Sequence, residues 1–285
     1  MKSCYLCGSK ECHNLAGKVR DNDQIQILEC EQCGLVYLSN INLPAGFYEQ
    51  SGMHGNAPQS LPDWLRLSDR DDDRRFRYLK ELITNRDVLD FGCGAGGFML
   101  KAKQITHKIM GIEIEMRLKN HFNDNNLEVF QNIEDIPITQ KFDIITAFHV
   151  IEHLEDPSGV LNHLSTKLRK ESLGEIIIEV PSSSDALLRI YENPPFSEFT
   201  YWSCHPYLFN SSNLPLLAKK AGLKIRYCNH IQRYPLSNHL YWLAKGQPGG
   251  HKQWSFLDSD SLSKAYEERL SALGKTDTLI ASLVL

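Results

Sequence analysis

Residues 87–98 read Asp-Val-Leu-Asp-Phe-Gly-Cys-Gly-Ala-Gly-Gly-Phe. The apolar start predicts a short buried strand. The four glycines that follow predict a tight turn, which opens into a helix over about residues 97–104. A strand, a glycine turn and a helix in this order bring backbone close to a ligand at the carboxyl end of the strand. The stretch therefore predicts a ligand site in an α/β fold.

Two carboxylates indicate which ligand the turn prefers. Gly92, Gly94 and Gly97 fit the dinucleotide fingerprint Gly-x-Gly-x-x-Gly, which leaves an NAD-dependent oxidoreductase as an alternative. Asp90 argues against it, because a carboxylate directly before the turn repels pyrophosphate and suits a cationic ligand. Glu113 closes the next predicted strand, where a carboxylate can accept both hydroxyls of a ribose.

The remaining pattern alternates between apolar strands and amphipathic helices. The predicted strands are residues 108–113, 142–147, 174–181, 223–227 and 240–244, and the predicted helices are residues 71–85, 157–168, 214–221 and 261–273. Such alternation predicts a doubly wound, Rossmann-like sheet, here with seven strands. The charged run at residues 69–75 is interpreted as a solvated helix start, and the residues after 273 as a loose apolar end.

Five of the eight cysteines lie within the first 33 residues. Two Cys-x-x-Cys-Gly motifs, with 22 residues between Cys7 and Cys30, place four soft ligands in the arrangement that structural zinc prefers. Coincidental pairs or a redox pair are the alternatives, and the missing βαβ context disfavours the redox pair. Cys12 and His13 are spare in this interpretation, and short strands are expected at residues 24–29 and 35–38. The predicted zinc ligands are Cys4, Cys7, Cys30 and Cys33.

Three runs of the sequence resemble the class I S-adenosylmethionine-dependent methyltransferases over about residues 70–245. They are Val-Leu-Asp-Phe-Gly-Cys-Gly-Ala-Gly-Gly-Phe, Gly-Ile-Glu, and Lys-Phe-Asp-Ile-Ile-Thr-Ala-Phe-His-Val-Ile-Glu-His-Leu. In that family the glycine turn wraps the methionine and ribose parts of the cofactor, the acidic residue after the second strand binds the ribose hydroxyls, and the segment after the third strand covers adenine. The resemblance thus implies S-adenosylmethionine as cofactor, held by Asp90, Gly92, Gly94, Gly96, Glu113, Asn132 and Ile133. Many relatives have aspartate where Asn132 stands.

A four-cysteine ribbon joined to such a domain resembles the zinc-ribbon methyltransferases of sugar and natural-product biosynthesis. The resemblance implies four segments, which are a zinc ribbon (1–40), a connector or lid (41–68), the cofactor domain (69–245) and a C-terminal loop and helix (246–285). Ribbon-containing sugar C-methyltransferases use a tyrosine in the connector, which makes Tyr48 and nearby His54 candidates. Their long additional C-terminal domain has no counterpart in this sequence.

The segment after the predicted fourth strand carries the first candidates for catalysis. Residues 147–157 read Ala-Phe-His-Val-Ile-Glu-His-Leu-Glu-Asp-Pro, and the carboxyl end of this strand faces the transferred methyl group in the family. A base such as His149 would remove the proton of an acceptor hydroxyl. Glu152 and His153 could contact substrate, brace the loop or, together with His149, bind a metal. Relatives that bind magnesium here carry Glu-x-x-Glu-His.

A second candidate base lies between the predicted fifth strand and the following helix. His205 stands in the run Tyr-Trp-Ser-Cys-His-Pro, in a region where this fold places substrate loops. His205 and His149 are alternative candidates for the base. Arg233, in a polar and aromatic stretch further on, would suit a phosphate group of the acceptor.

Composition limits the partners. The chain has 285 residues, a net charge of −4 and no basic stripe, which argues against nucleic acid and membrane surfaces as partners. It contains no apolar run near the roughly 18 residues of a membrane span and begins without a signal-peptide core, so a cytoplasmic protein with reduced thiols is expected.

The expected function is methylation of a small polar metabolite, most simply at an oxygen of a nucleotide-linked sugar or glycan precursor. C- or N-methylation is the nearest alternative. A non-catalytic zinc-ribbon binding protein with a vestigial cofactor fold is an alternative of another class. The sequence gives no oligomeric state.

Overall fold

The computed structural model describes residues 3–40, 46–50, 60–170 and 174–285. Its strands are β1 (Cys12–Asn14), β2 (Ile27–Cys30), β3 (Val36–Leu38), β4 (Asp87–Phe91), β5 (Lys108–Ile112), β6 (Glu128–Phe130), β7 (Ile144–Phe148), β8 (Glu175–Pro181), β9 (Tyr207–Leu208), β10 (Lys224–Ile231) and β11 (Thr278–Val284). Its α-helices are α1 (Leu61–Ile83), α2 (Gly97–Ala102), α3 (Lys119–Asp124), α4 (Pro157–Ser165), α5 (Ala186–Arg189), α6 (Pro194–Thr200), α7 (Leu214–Lys220), α8 (Leu236–Lys245), α9 (Gly250–Gln253) and α10 (Asp260–Ala272).

Seven strands form one sheet in the order β10-β11-β8-β7-β4-β5-β6. β4 pairs in parallel with β5 and β7, and β5 pairs in parallel with β6. Every residue of β7 is buried, as are the first six of β8. Strands that are covered on both faces need apolar side chains at successive positions, which explains the Ile-Ile-Thr-Ala-Phe and Glu-Ile-Ile-Ile-Glu-Val runs. The predicted Rossmann-like sheet of seven strands is confirmed.

The chain divides into two compact units. One contains residues 1–42, 151–158 and 179–281, and the other contains residues 43–150, 159–178 and 282–285. No described helix combines the length and the apolar character that crossing a membrane requires.

The N-terminal strands belong to a separate sheet with the order β1-β2-β3-β9. β9 comes from far along the sequence and pairs with β3 in the register Val36 to Leu208 and Tyr37 to Tyr207. A small apolar cluster lies beside the sheet, with Val19, Ile27, Val36, Leu38, Tyr201 and Leu208 as its buried members. The ribbon sequence therefore shares its sheet and its core with a later segment of the same unit.

Helix α1 begins at Leu61, ten residues before the predicted start at Asp71, and occupies part of the predicted connector. Ser60 caps it, because its hydroxyl accepts the backbone N–H of Asp63, and Pro62 fits the first turn, where no intrahelical N–H is needed. The capping serine and the proline together mark this start.

The prediction for the last strand is wrong. Residues 240–244 lie inside helix α8, and the final strand is β11, within the segment that was predicted to be a loose apolar end. β11 lies between β8 and β10 in the sheet, and six of its seven residues are buried. The predicted helix at residues 261–273 corresponds closely to α10.

Candidate active site

The glycine turn after β4 is held against the end of β5. The backbone N–H groups of Gly92 and Cys93 both donate to the carbonyl of Ile112, at 2.8 and 3.0 Å. Gly92 has a φ of +71°, and a Cβ placed there would lie 2.4 Å from Cγ2 of Val150. Only glycine fits this position, because a side chain would meet both a left-handed backbone and a neighbouring side chain. The turn therefore lies close to the residues that follow β7.

Asp90 lies directly before the turn and is buried. The hydroxyl of Thr146, on β7, donates to its carboxylate at 2.7 Å. Burial raises the pKa of Asp90 to about 7, although this hydrogen bond and the positive charge of Arg75 both lower it. A carboxyl group with such a pKa directly before a glycine-rich turn marks a functional candidate.

Glu113 follows β5 and connects two segments of the site. One carboxylate oxygen accepts the backbone N–H of Gly94 at 2.8 Å, and the other accepts that of Glu115 at 2.9 Å. Burial raises the pKa of Glu113, while backbone hydrogen bonds from Glu115, Gly94 and Ile114 lower it. A carboxylate has about four lone-pair sites, so it can still accept a ligand hydroxyl. The carboxylate is thus fixed in position by the backbone around it.

Asn132 and Ile133 lie two and three residues beyond the end of β6. The backbone N–H of Glu113 donates to the carbonyl of Phe130 at 2.9 Å, which places this segment next to the acidic residue. Ile133 is buried, and Asn132 is exposed, with its backbone N–H bonded to the Asp135 carboxylate at 3.0 Å. The sequence-predicted cofactor residues from β4, β5 and β6 therefore lie in neighbouring segments of one sheet edge.

Helix α1 adds a polar face that sequence analysis missed. Asp72 is buried, accepts the Ser68 hydroxyl at 2.7 Å and pairs with Arg75 at 3.3 Å. A Cβ on Gly97 would lie 2.1 Å from the Asp72 carboxylate, so the face packs on the start of α2. The prediction of a solvated run is therefore wrong for Asp72. Trp64, Ser68, Asp72 and Arg75 lie at intervals of three or four residues, and this periodicity could have revealed the face.

His149 follows β7 directly and has a left-handed backbone with φ of +54°. Residues other than glycine seldom adopt this conformation, and it occurs preferentially at functional positions. Because Val150 contacts the glycine turn, His149 lies one residue from that contact. The structure thus places this candidate base at the carboxyl end of a central strand.

Glu152 and His153 belong to a 3₁₀ turn, Ile151–His153, in the other compact unit. Glu152 is buried, and Nδ1 of His153 is bonded to the backbone carbonyl of Cys204 at 2.8 Å. The rings of His153 and His205 lie edge to face with centroids 4.6 Å apart. The structure therefore brings together two histidines that are 52 residues apart in sequence.

The four N-terminal cysteines converge. The Sγ atoms of Cys4 and Cys33 lie 3.5 Å apart, as do those of Cys7 and Cys30, and all four lie within 4.8 Å of one another. Zn–S bonds of about 2.3 Å in a tetrahedron separate sulfur atoms by about 3.8 Å. Backbone N–H groups also donate to Cys4 and Cys33 sulfur. The donor set and its geometry fit a structural zinc ion.

The remaining candidates have contacts of their own or fall outside the residues that the structure describes. Tyr48 packs edge to face on Phe47, and His54 lies outside the described residues. The backbone N–H of Arg233 donates to the partly buried Asp277 at 3.0 Å, and its guanidinium lies near the Tyr234 ring. Asp277 is not among the residues predicted from the sequence; burial raises its pKa, while the positive charge of Arg233 lowers it.

Solved structures share this fold at low identity. A methyltransferase from Thermotoga maritima, described as SAM-dependent, matches with 17% identity and a TM-score of 0.50, covering 78% of this chain and 93% of that one. An S-adenosylmethionine-dependent methyltransferase from Mesorhizobium loti matches with 11% identity and a TM-score of 0.50, covering 76% and 100%. At these identities the likeness shows a shared fold, the Rossmann-like α/β fold of methyltransferase structures.

The chain belongs to the methyltransferase-domain family, whose model matches residues 65–227, more than half of its length. Among curated proteins, the ubiquinone biosynthesis O-methyltransferase of Coxiella burnetii is 30% identical over 107 residues, which cover 33% of this chain and 45% of that protein. The mitochondrial enzyme of the same name from Candida albicans is 35% identical over 86 residues, 26% of each protein. The chain thus spans less than half the length of these two curated relatives.

Proposed function

We propose that this methyltransferase binds S-adenosylmethionine through Asp90, the glycine turn and Glu113. The observation that carries the proposal is the buried carboxyl of Asp90, whose pKa of about 7 lets a cationic ligand ionise it near neutral pH. In the bound state Asp90 would face the ammonium group of the methionine part. Glu113, fixed by two backbone amides, would accept the ribose hydroxyls.

The same carboxyl group disfavours the oxidoreductase alternative. A dinucleotide would bring a pyrophosphate to the glycine turn, and a buried carboxylate beside it would repel that charge in a medium of low dielectric constant. A ligand with a sulfonium and an ammonium group carries charge of the opposite sign. The electrostatics of Asp90 therefore support S-adenosylmethionine over NAD.

For the reaction, we infer methyl transfer to a hydroxyl oxygen of a small polar metabolite. S-adenosylmethionine supplies the methyl group from its sulfonium sulfur. His149, at the end of β7 and one residue from the contact with the glycine turn, would take the proton of the acceptor hydroxyl. The support for His149 is its place in the same compact unit as the glycine turn, and His205 is the alternative base.

The acceptor we favour is a nucleotide-linked sugar or glycan precursor. The support is the four-cysteine ribbon, which precedes the cofactor domain in the sequence. Its thiols have the geometry of a zinc site. A phenolic quinone precursor is the second candidate, because the curated relatives named above are ubiquinone biosynthesis O-methyltransferases. We also propose that the ribbon holds one structural zinc ion, which supplies folding free energy to a segment with little core of its own.

Calorimetry tests the cofactor assignment. Wild-type protein should bind S-adenosylmethionine with a Kd on the order of micromolar and should not bind NADH. Glu113→Gln should weaken binding, whereas Glu128→Gln, which removes a carboxylate that faces Lys108 on the surface, should not. Binding of NADH with no binding of S-adenosylmethionine would contradict the proposal.

A methyl-transfer assay with two acceptor panels, nucleotide sugars and catechols, tests the acceptor. Turnover of one panel identifies the class, and His149→Ala should then abolish turnover while cofactor binding is retained. His163→Ala, in α4, is the matched control and should keep wild-type activity. Cofactor binding without transfer to either panel would instead support a non-catalytic binding protein.

A further inference from the structure

Two histidines and a cysteine converge in a second cluster of potential metal ligands. Ligand atoms of His153, Cys204 and His205 all lie within 4.8 Å of one another. Cys204 is fully buried, and both histidines are partly buried. The three residues belong to the same compact unit, so the cluster is complete within it.

Local hydrogen bonds orient the members of the cluster. A carbonyl oxygen can only accept, so the bond of 2.8 Å between His153 Nδ1 and the Cys204 carbonyl requires a proton on Nδ1. The other nitrogen, Nε2, then carries the lone pair that binds a metal. Histidines that ligate metals usually have this arrangement, with the distal N–H bonded to a carbonyl or carboxylate.

The loop that carries the other two ligands is also fixed. The backbone N–H of His205 donates to the carbonyl of Trp202 at 2.8 Å, and the indole packs edge to face on the imidazole at 5.6 Å. The backbone N–H of Ser203 donates to the carboxylate of Asp21 at 3.0 Å. Cys204 and His205 are therefore presented by a constrained turn.

We propose that His153, Cys204 and His205 form a second metal site that binds zinc or a similar borderline-soft divalent cation. One thiolate and two imidazoles are ligands that zinc prefers over magnesium. Three protein ligands leave a fourth coordination position for water or an acceptor oxygen, whereas the four-cysteine cluster is closed. Binding would draw the ligand atoms to separations of about 3.5 Å, as tetrahedral bond lengths require.

The site differs from both metal arrangements that the sequence suggests. It shares no ligand with the N-terminal cysteines. The sequence suggests His149, Glu152 and His153 as a metal site, and this site combines His153 with Cys204 and His205 instead. Among the residues that the structure describes, the clusters of converging ligands are this one and the four-cysteine one, and His149 belongs to neither.

Zinc content tests the site without an activity assay. Full-length protein is loaded with zinc in excess magnesium, dialysed, and analysed for zinc per chain, with circular dichroism as a check of folding. Wild type should hold two zinc ions, and Cys204→Ala and His205→Gln should each hold one. Cys228→Ser, which removes another partly buried thiol outside the cluster, should hold two.

Cobalt loading distinguishes the two sites. Cys30→Ser should lose the signature of a four-thiolate centre and keep that of a site with one thiolate, and Cys204→Ala should show the reverse. Folded wild type that shows only the four-thiolate cobalt signature, or a zinc content that His205→Gln leaves unchanged in folded protein, would overturn the proposal. His205→Gln replaces a partly exposed side chain, so it supplies the decisive comparison if Cys204→Ala does not fold.

Discussion

Asp90→Asn should change how the stability of the protein depends on pH. Burial raises the pKa of Asp90 from its ordinary value of 3.8 to about 7. A raised pKa means that the folded state keeps its proton while the unfolded state loses it. The folded protein therefore loses stability as the pH rises from about 4 to about 7, and the full loss is present above that range.

The size of the effect follows from the pKa difference. Raising the pKa from 3.8 to about 7 corresponds to about 4 kcal/mol of unfolding free energy. Asparagine has nearly the same shape and can still accept the hydroxyl of Thr146 through its carbonyl oxygen, but it never carries charge. Asp90→Asn should thus lack this pH-dependent loss and gain up to about 4 kcal/mol over wild type near pH 8.

Urea unfolding of the cofactor-free protein at several pH values measures the difference. Asp87→Asn is the control, because the contribution of Asp87 to stability depends on pH in the opposite direction. Burial would raise the pKa of Asp87, but hydrogen bonds from His107 and Arg169 outweigh burial and lower it. Its contribution to stability is therefore present at neutral pH and lost on acidification. If the difference between wild type and Asp90→Asn stays constant across the pH range, the assigned pKa of Asp90 is wrong.

Three further changes test other parts of the structure. Glu113→Gln should weaken S-adenosylmethionine binding about tenfold, roughly 1.4 kcal/mol by calorimetry, and should also lower the melting temperature, because its amide NH2 would face one of the two backbone N–H groups that the carboxylate accepts. Gly92→Ala should cost about 2–4 kcal/mol in urea unfolding, because its Cβ meets Val150 in a left-handed backbone, and wild-type stability would refute this packing. Tyr5→Phe removes a hydroxyl bonded to Asp156 at 2.5 Å and should speed hydrogen exchange at residues 154–158 without changing cofactor affinity; unchanged exchange would contradict it.

The parts of the fold that were predicted correctly depend on local sequence. β4, the glycine turn and the start of α2 follow one another within sixteen residues, Asp87–Ala102, and each has its own signal. Glu113 is recognisable because it ends an apolar strand. Backbone preferences and burial act over the same few residues here, so the pattern of the sequence reflects the structure directly.

Long-range contacts decide the parts that were predicted incorrectly. In helix α8 the buried residues include Ser237, Asn238 and His239, while Leu240 and Leu243 are exposed. The polar residues can be buried because Asp258 accepts the Ser237 hydroxyl at 2.6 Å and Tyr266 bonds to His239 at 2.6 Å. Placing the apolar residues inside therefore predicts a strand where the chain forms a helix. The hydrogen-bond partners that allow the polar residues to be buried lie 20 to 30 residues away in the sequence.

The same limit applies to the candidate site. The spacing of Trp64, Ser68 and Asp72 marks one face of α1, but the packing of α1 on Gly97 is what shows that Asp72 is buried. Likewise, His153 and His205 lie in separate stretches of the sequence. In the folded chain, the turn at Trp202 brings their rings together. Residue types indicate which chemistry is available, but tertiary contacts decide which residues can act jointly.

The contacts of Tyr5 indicate why a four-cysteine ribbon would be joined to this unit. Tyr5 lies between Cys4 and Cys7, and its hydroxyl accepts the backbone N–H of Ser158 at 2.9 Å, while its carbonyl accepts Lys220 Nζ at 2.7 Å. Asp156 and Ser158 lie in the segment that begins with the turn carrying His153. A metal ion that closes the cysteine knuckle would therefore also fix the loop that presents this histidine, so metal loss should loosen the loop before it affects the glycine turn.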